Sequence, residues 1–109
     1  MFDEALAERV RSVLSDVPFE VEERRRFGGL AFMVRGYMTV GVLGDSLMVK
    51  LGPEGAASAL EKPGVRPMDF TGRPMKAMVF VDEGALRGRR LAQWVDRAVE
   101  FMETQPRRG

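Results

Sequence analysis

The residues best equipped for chemistry stand in one word, RPMDFTGRPMK, which runs from Arg66 to Lys76 and states the tripeptide R-P-M twice, seven residues apart. Arg66, Arg73 and Lys76 set three cations against the one carboxylate of Asp69, a local charge of +2 that suits an acidic protein surface or a phosphate. A guanidinium grips such oxyanions through two parallel hydrogen bonds, which a lysine cannot do. Phe70 adds an aromatic beside them. The triplet Arg24, Arg25 and Arg26 widens the patch if its strand lies close, and together these residues form the candidate partner- or anion-binding set.

The same word also reads as a turn. Each proline fixes its own φ and pushes the preceding arginine out of the helical region. Asp69 can accept from backbone N–H groups ahead of it, Thr71 can do so more weakly, and Gly72 supplies positive φ at little steric cost. A structural Arg66–Asp69 pair fits as well. That reading accounts for every polar residue except the cations, so the word is a structural turn first and a binding candidate second.

Other chemistries are poorly supplied. The chain contains no cysteine and no histidine. This removes disulfides, thiolate nucleophiles and cysteine-ligated zinc, together with the commonest general base and metal ligand. D-F-T-G is not the D-F-G of a kinase, and no catalytic-loop signature accompanies it. Met68, Met75 and Met78 read as adaptable core filler, since thioethers alone would hold only soft ions. No cofactor, metal or catalytic residue is expected.

Charge narrows the partners. With 17 Lys plus Arg against 16 Asp plus Glu, the net charge of +1 gives little pull on a phosphate backbone. No helix has a dense basic face and no aromatic pairs offer a stacking platform, so direct DNA binding by the domain is not expected. The opening MFDEALAERV carries acids where a secretory signal would carry cations, and no apolar run is long enough to span a bilayer. A cytoplasmic location without membrane contact is the expectation.

The elements that must position these residues emerge from periodicity. Asp3 can cap a helix to about Asp16, with Leu6, Val10, Val13, Leu14 and Val17 at helical spacing. Phe19 to Phe27 is a polar segment suited to an exposed or edge strand. Three β-rich runs, Leu30 to Val34, Tyr37 to Leu43 and Ser46 to Leu51, are separated by Arg35-Gly36 and Gly44-Asp45. Such short links allow only antiparallel hairpins, not a nucleotide-binding crossover. Pro53 opens a short helix that ends at Pro63-Gly64, Lys76 to Val81 reads as a further strand, and Asp82 can cap the next helical turn. A last helix from Gly88 or Arg89 stacks Leu91, Trp94, Val95, Ala98, Phe101 and Met102 on one stripe. Residues 105–109 should fray.

The fold class is therefore α+β, a two-layer domain spanning 1–109 with an antiparallel sheet packed on helices, in the order α, three or four β, α, one or two β, α. Leu30, Phe32 and Val34 face the helices if strand alternation holds, which sends Ala31 and Met33 to the other side. That second face is too apolar for plain water. Either it, or a sheet edge, supports homodimerisation or another protein contact, or the R-P-M segment curls over and covers it.

Phe27-Gly28-Gly29-Leu30-Ala31-Phe32-Met33-Val34, then Leu47-Met48-Val49-Lys50-Leu51-Gly52-Pro53-Glu54, then RPMDFTGRPMK and the Trp94 helix resemble the N-terminal domain of the TfoX/Sxy family, over nearly the whole chain. The resemblance implies a secretion-chaperone-like fold of helix, three strands, helix, two strands and helix. It also implies a non-enzymatic regulatory or adaptor role in natural competence, alongside the cyclic-AMP receptor protein in transcription. Full-length members carry a second, helical C-terminal domain, and a stand-alone N-terminal domain is the expectation for a sequence stopping at Gly109. The resemblance carries no catalytic residue over. Expected partners are a protein, such as a transcription factor, or a second copy of the chain. The alternative is a small-molecule- or anion-binding domain with a pocket near residues 66–76, in which Asp69, Lys76 and Tyr37 are the chemically able groups.

Overall fold

The computed structural model describes residues 2–26, 28–70 and 73–106, with the backbone alone at 69–70 and 73–75. Helix α1 (Glu4–Leu14) starts where the Asp3 carboxylate accepts from the N–H groups of Ala5 and Leu6 at 2.9 and 3.1 Å. Two donors that a helix start leaves orphaned are thereby satisfied. The helix stops two residues short of the expected Asp16, and its Leu6, Ala7, Val10 and Leu14 face is buried.

Six strands then form one antiparallel sheet in the order β1-β2-β3-β4-β6-β5. They are β1 (Val21–Arg26), β2 (Gly29–Val34), β3 (Tyr37–Leu43), β4 (Ser46–Lys50), β5 (Val65–Phe70) and β6 (Arg73–Val81). The β2–β3 link has Arg35 at φ 55° and Gly36 at φ 83°. Two successive left-handed residues match the twist of the strands they join, and glycine takes the second at no steric cost. Helix α2 (Gly52–Ala59) interrupts the sheet between β4 and β5, and α3 (Arg90–Glu103) closes the chain. The order is α, four β, α, two β, α. It adds β1 to the three-plus-two strands that the family resemblance implies.

The two faces of the sheet divide as alternation requires. Leu30, Phe32, Val34, Val40, Val42, Leu47, Val49, Val79 and Val81 join the buried sides of the three helices, including Leu91, Trp94, Val95 and Met102, in one core. On the other face Met48, Met68 and Met78 form a second buried cluster, with Met38, Leu43, Ala77 and Phe80 packed around it. The cross-strand row Ala31, Gly41, Met48, Phe80 explains how. A Cβ on Gly41 would lie 2.6 Å from Met48 Cε and 3.2 Å from Met38 Cε. The thioether ends therefore fold into the hollow that the glycine leaves, as flexible unbranched side chains can. Of the two expectations for this face, self-coverage is the one realised among the described residues, and Met68 of the R-P-M segment contributes to it. The one large exposed hydrophobic residue among them is Leu60, at 40%.

Candidate functional site

Residues 66–70 and 73–76 are strand. They lie in the β5–β6 hairpin, where Asp69 faces Pro74 and Phe70 faces Arg73 in register. Thr71 and Gly72, which carried the turn expectation, lie outside the described residues, as do the side chains of Asp69, Phe70 and Arg73. Lys76 is exposed on β6.

Among the described side chains the partner of Arg66 is Asp82, while the side chain of the expected Asp69 lies outside them. The Arg66 Nε donates to both carboxylate oxygens of Asp82, at 2.9 and 3.0 Å, and its terminal nitrogen donates to Asp82 at 2.8 Å and to Ser46 Oγ at 3.2 Å. The guanidinium also sits 5.0 Å from the centroid of Phe80, its cross-strand neighbour. The hydrogen bonds from Arg66, with a further one from Ser46, hold the Asp82 carboxyl below the usual aspartate range, and Asp82 in turn pushes the Arg66 guanidinium up. Asp82 stands at the N-cap position of a 3-10 turn, Glu83–Ala85, yet makes no side-chain cap bond. The sequence expectation of a cap fails there because the carboxylate has a charged partner on β5. Charge-assisted bonds are roughly twice as strong as neutral ones.

The arginine triplet does not widen this patch. Arg24, Arg25 and Arg26 lie on β1 and residues 66–70 on β5, and these strands are the opposite edges of the sheet. The expected exposed edge strand is correct: β1 is exposed from Glu22 to Arg26 and only Val21 is partly buried. Arg24 bonds Glu22 at 2.6 Å, and Arg11 of α1 bonds both oxygens of Glu23 at 2.6 and 2.8 Å. That second pair lowers the Glu23 carboxyl and raises the Arg11 guanidinium. Arg25 lies over the Phe2 ring, 5.5 Å from its centroid. The eight candidates thus fall into two groups at opposite ends of the sheet, Arg24, Arg25 and Arg26 on the edge strand β1 and the other five on the edge strand β5 and its neighbour β6. Tyr37, the remaining chemically able group, donates its hydroxyl to the carbonyl of Pro106 and carries Lys50 over its ring at 5.9 Å.

A cleft missed by the sequence reading opens beside the last helix. It is about 600 Å³ in volume and is lined by Lys62, Pro63, Ala85, Arg90, Trp94 and Arg97 among others. Its walls are brought together by the turn after α2. The Asp82 N–H donates to Gly64 O at 2.7 Å. Gly64 has φ 81°, and a Cβ there would lie 2.9 Å from Ala85. Arg9 of α1 ties down the segment between Ala85 and Arg90 by donating to the carbonyls of Leu86 and Gly88 at 2.8 and 3.4 Å. One signal was present in the sequence. The stretch Arg87-Gly88-Arg89-Arg90 puts three cations at the N-terminus of α3, which has no side-chain cap and no acid in its first turn, and one of them, Arg90, lines the cleft. A helix start favours acids and disfavours cations.

An α+β domain of this order, with a self-covered methionine face and charged sheet edges, is a small scaffold built around surfaces. The model of the TfoX N-terminal domain matches residues 13–102, and the chain belongs to that family. No curated protein and no solved structure matches it. No helix among the described residues is long and apolar enough to cross a membrane, and no group of His, Cys, Asp and Glu among them could hold a metal ion.

Proposed function

We propose that this chain is a non-enzymatic regulatory adaptor of the competence type, which works in transcription through protein contacts, and that its first contact is a second copy of itself along β1. Family membership supports the regulatory role. The observation that carries the contact is the charge order of the exposed edge, Glu22-Glu23-Arg24-Arg25-Arg26.

Two identical edges pair antiparallel about a dyad perpendicular to the sheet. Directly opposed residues must then share a face, so partners have the same parity. A dyad on Arg24 sets Glu22 against Arg26 and Glu23 against Arg25, each pair occurring twice. A dyad on Glu23 sets that residue against itself, and one on Arg25 sets Arg24 against Arg26. Within β1 the register centred on Arg24 also sets Arg24 against its own copy, but it opposes four Glu–Arg pairs to that one like pair, whereas the Glu23 register opposes two Glu22–Arg24 pairs to one, so charge selects the Arg24 register. Mixed charge on an edge ordinarily deters pairing, but here the order is self-complementary. Each opposed Glu–Arg pair contributes about 0.2–1 kcal/mol, which makes the association weak and reversible.

Light scattering across a concentration series tests this. The wild-type chain should approach the dimer mass at high concentration and low salt, Glu22→Arg and Arg26→Glu should each remain monomeric, and the double variant should recover the dimer. A monomeric wild type, or a double variant no better than either single one, overturns the contact. In a deletion strain the double variant should restore DNA uptake where each single variant fails. Equal complementation by all three would separate the regulatory role from this edge.

A further inference from the structure

The chain's one tryptophan, Trp94, is only 7% exposed, and its ring carries the Arg97 guanidinium 4.9 Å from the centroid. Its indole N–H donates to no acceptor among the described residues and is not a buried orphan, so solvent reaches it. Buried tryptophans ordinarily place that N–H on a partner. Lys62, Arg90 and Arg97 line the same cleft as Trp94, and none of the three forms an ion pair with a described residue. Asp96 is the one acid in the lining, so three cations less one carboxylate leave +2. Pro63 and Ala85 supply an apolar wall.

We infer that this cleft binds a small phosphate monoester. The charge argument separates it from a carboxylate ligand: a phosphate monoester carries about −1.5 to −2 at neutral pH and offers three acceptor oxygens. In this reading Arg97, already held against the indole, offers its fork to one pair of oxygens, Lys62 and Arg90 supply further cationic donors from the same lining, and the Trp94 N–H supplies a neutral one. The uncapped N-terminus of α3 adds its dipole in the same sense. A volume of about 600 Å³ lies within the range of small-molecule sites. Arg90, which lines the cleft, is a cation at a helix start, where a positive charge is disfavoured, and such local inconsistencies mark functional positions. The cleft is on the helical layer and does not involve β1, so this inference and the dimer contact stand or fall separately.

Because Trp94 is the sole indole, its emission reports on the cleft alone. Ribose 5-phosphate, which is transparent where indole absorbs, should change that emission saturably, whereas ribose should not. Arg97→Gln and the Lys62→Gln/Arg90→Gln pair should each weaken the response at least tenfold, with thermal melts confirming that both variants fold. An Arg24→Gln control should titrate like wild type. Emission and calorimetry both silent to ribose 5-phosphate and to inorganic phosphate would overturn the inference. So would undiminished binding by the cleft variants, or a response to an oligonucleotide or phosphopeptide in the absence of any response to the free sugar phosphate.

Discussion

Truncating Met48 to alanine tests whether the second sheet face belongs to the monomer's own interior. Met48 is 1% exposed and lies between the neighbouring strands' Gly41 and Phe80, with its thioether end in the hollow above the glycine. Buried Met→Ala changes cost about 2–5 kcal/mol, of which part is a cavity term set by how far the surroundings collapse. Met38 and Met78 pack beside it and are flexible, so partial collapse places the cost near the lower end, about 2–3 kcal/mol. With an unfolding entropy of roughly 2.1 cal/mol/K per residue, a chain of this length loses about 4 °C in Tm per kcal/mol, or about 8–13 °C in all. The assay is a thermal melt followed by circular dichroism at several protein concentrations, with Leu60→Ala as the surface control. A face reserved for a partner would behave otherwise: Met48→Ala would fall within about 0.5 kcal/mol of wild type in dilute solution, as surface substitutions do. That result would refute the self-covered face.

Three further outcomes rest on named contacts. Asp82 has its carboxyl pKa depressed in the folded chain, so the stability it confers is present above the unfolded value of about 4 and is lost as pH falls through the lower folded value. Asp82→Asn should therefore flatten the loss of urea resistance below about pH 4. Because Arg66 and Asp82 are 53% and 41% exposed, the effect is at most about 1 kcal/mol, and an unchanged acid slope would deny the pair any role. Asp3→Ala should cost about 1 kcal/mol through loss of the α1 cap, with Asp3→Asn close to wild type in the same denaturation series. Gly29→Ala places a Cβ 2.4 Å from the Val42 carbonyl oxygen, a backbone atom that only a shift of β3 can move. It should cost about 1–3 kcal/mol, while Gly84→Ala, with nothing within 4 Å, should melt close to wild type.

The architecture was legible in the sequence because its signals are local. Two-residue links at Arg35-Gly36 and Gly44-Asp45 permit only hairpins, Asp3 stands where a cap must stand, and the stripe through Leu91, Trp94 and Val95 has one period. The charged edge strand was legible for the same reason. Features that depend on strand order were not. Nothing local says that β6 inserts between β4 and β5, which separates the Arg24 triplet from Arg66 by four strands, or that Asp82 at the far end of β6 meets Arg66. Nor does local pattern show that the turn carrying Lys62 meets Trp94 and Arg97 from far along the chain. In the last helix the mixture of Arg89, Arg90 and Arg97 with Asp96 and Glu100 looks like an ordinary solvated face, and only the fold sets Arg90 and Arg97, with Asp96, beside Lys62 in one cleft.

Disulfide trapping at the dyad tests the central claim most directly, since a chain without native cysteine makes every introduced thiol unambiguous. Opposed residues of an antiparallel pair have Cα atoms about 4.5–5.5 Å apart, within disulfide reach. Arg24→Cys should therefore oxidise to a covalent dimer at low salt, Glu22→Cys alone should not, and Glu22→Cys combined with Arg26→Cys should cross-link again. Absence of cross-linking at position 24, or equal cross-linking by the Glu22→Cys chain, would contradict pairing along β1 in this register.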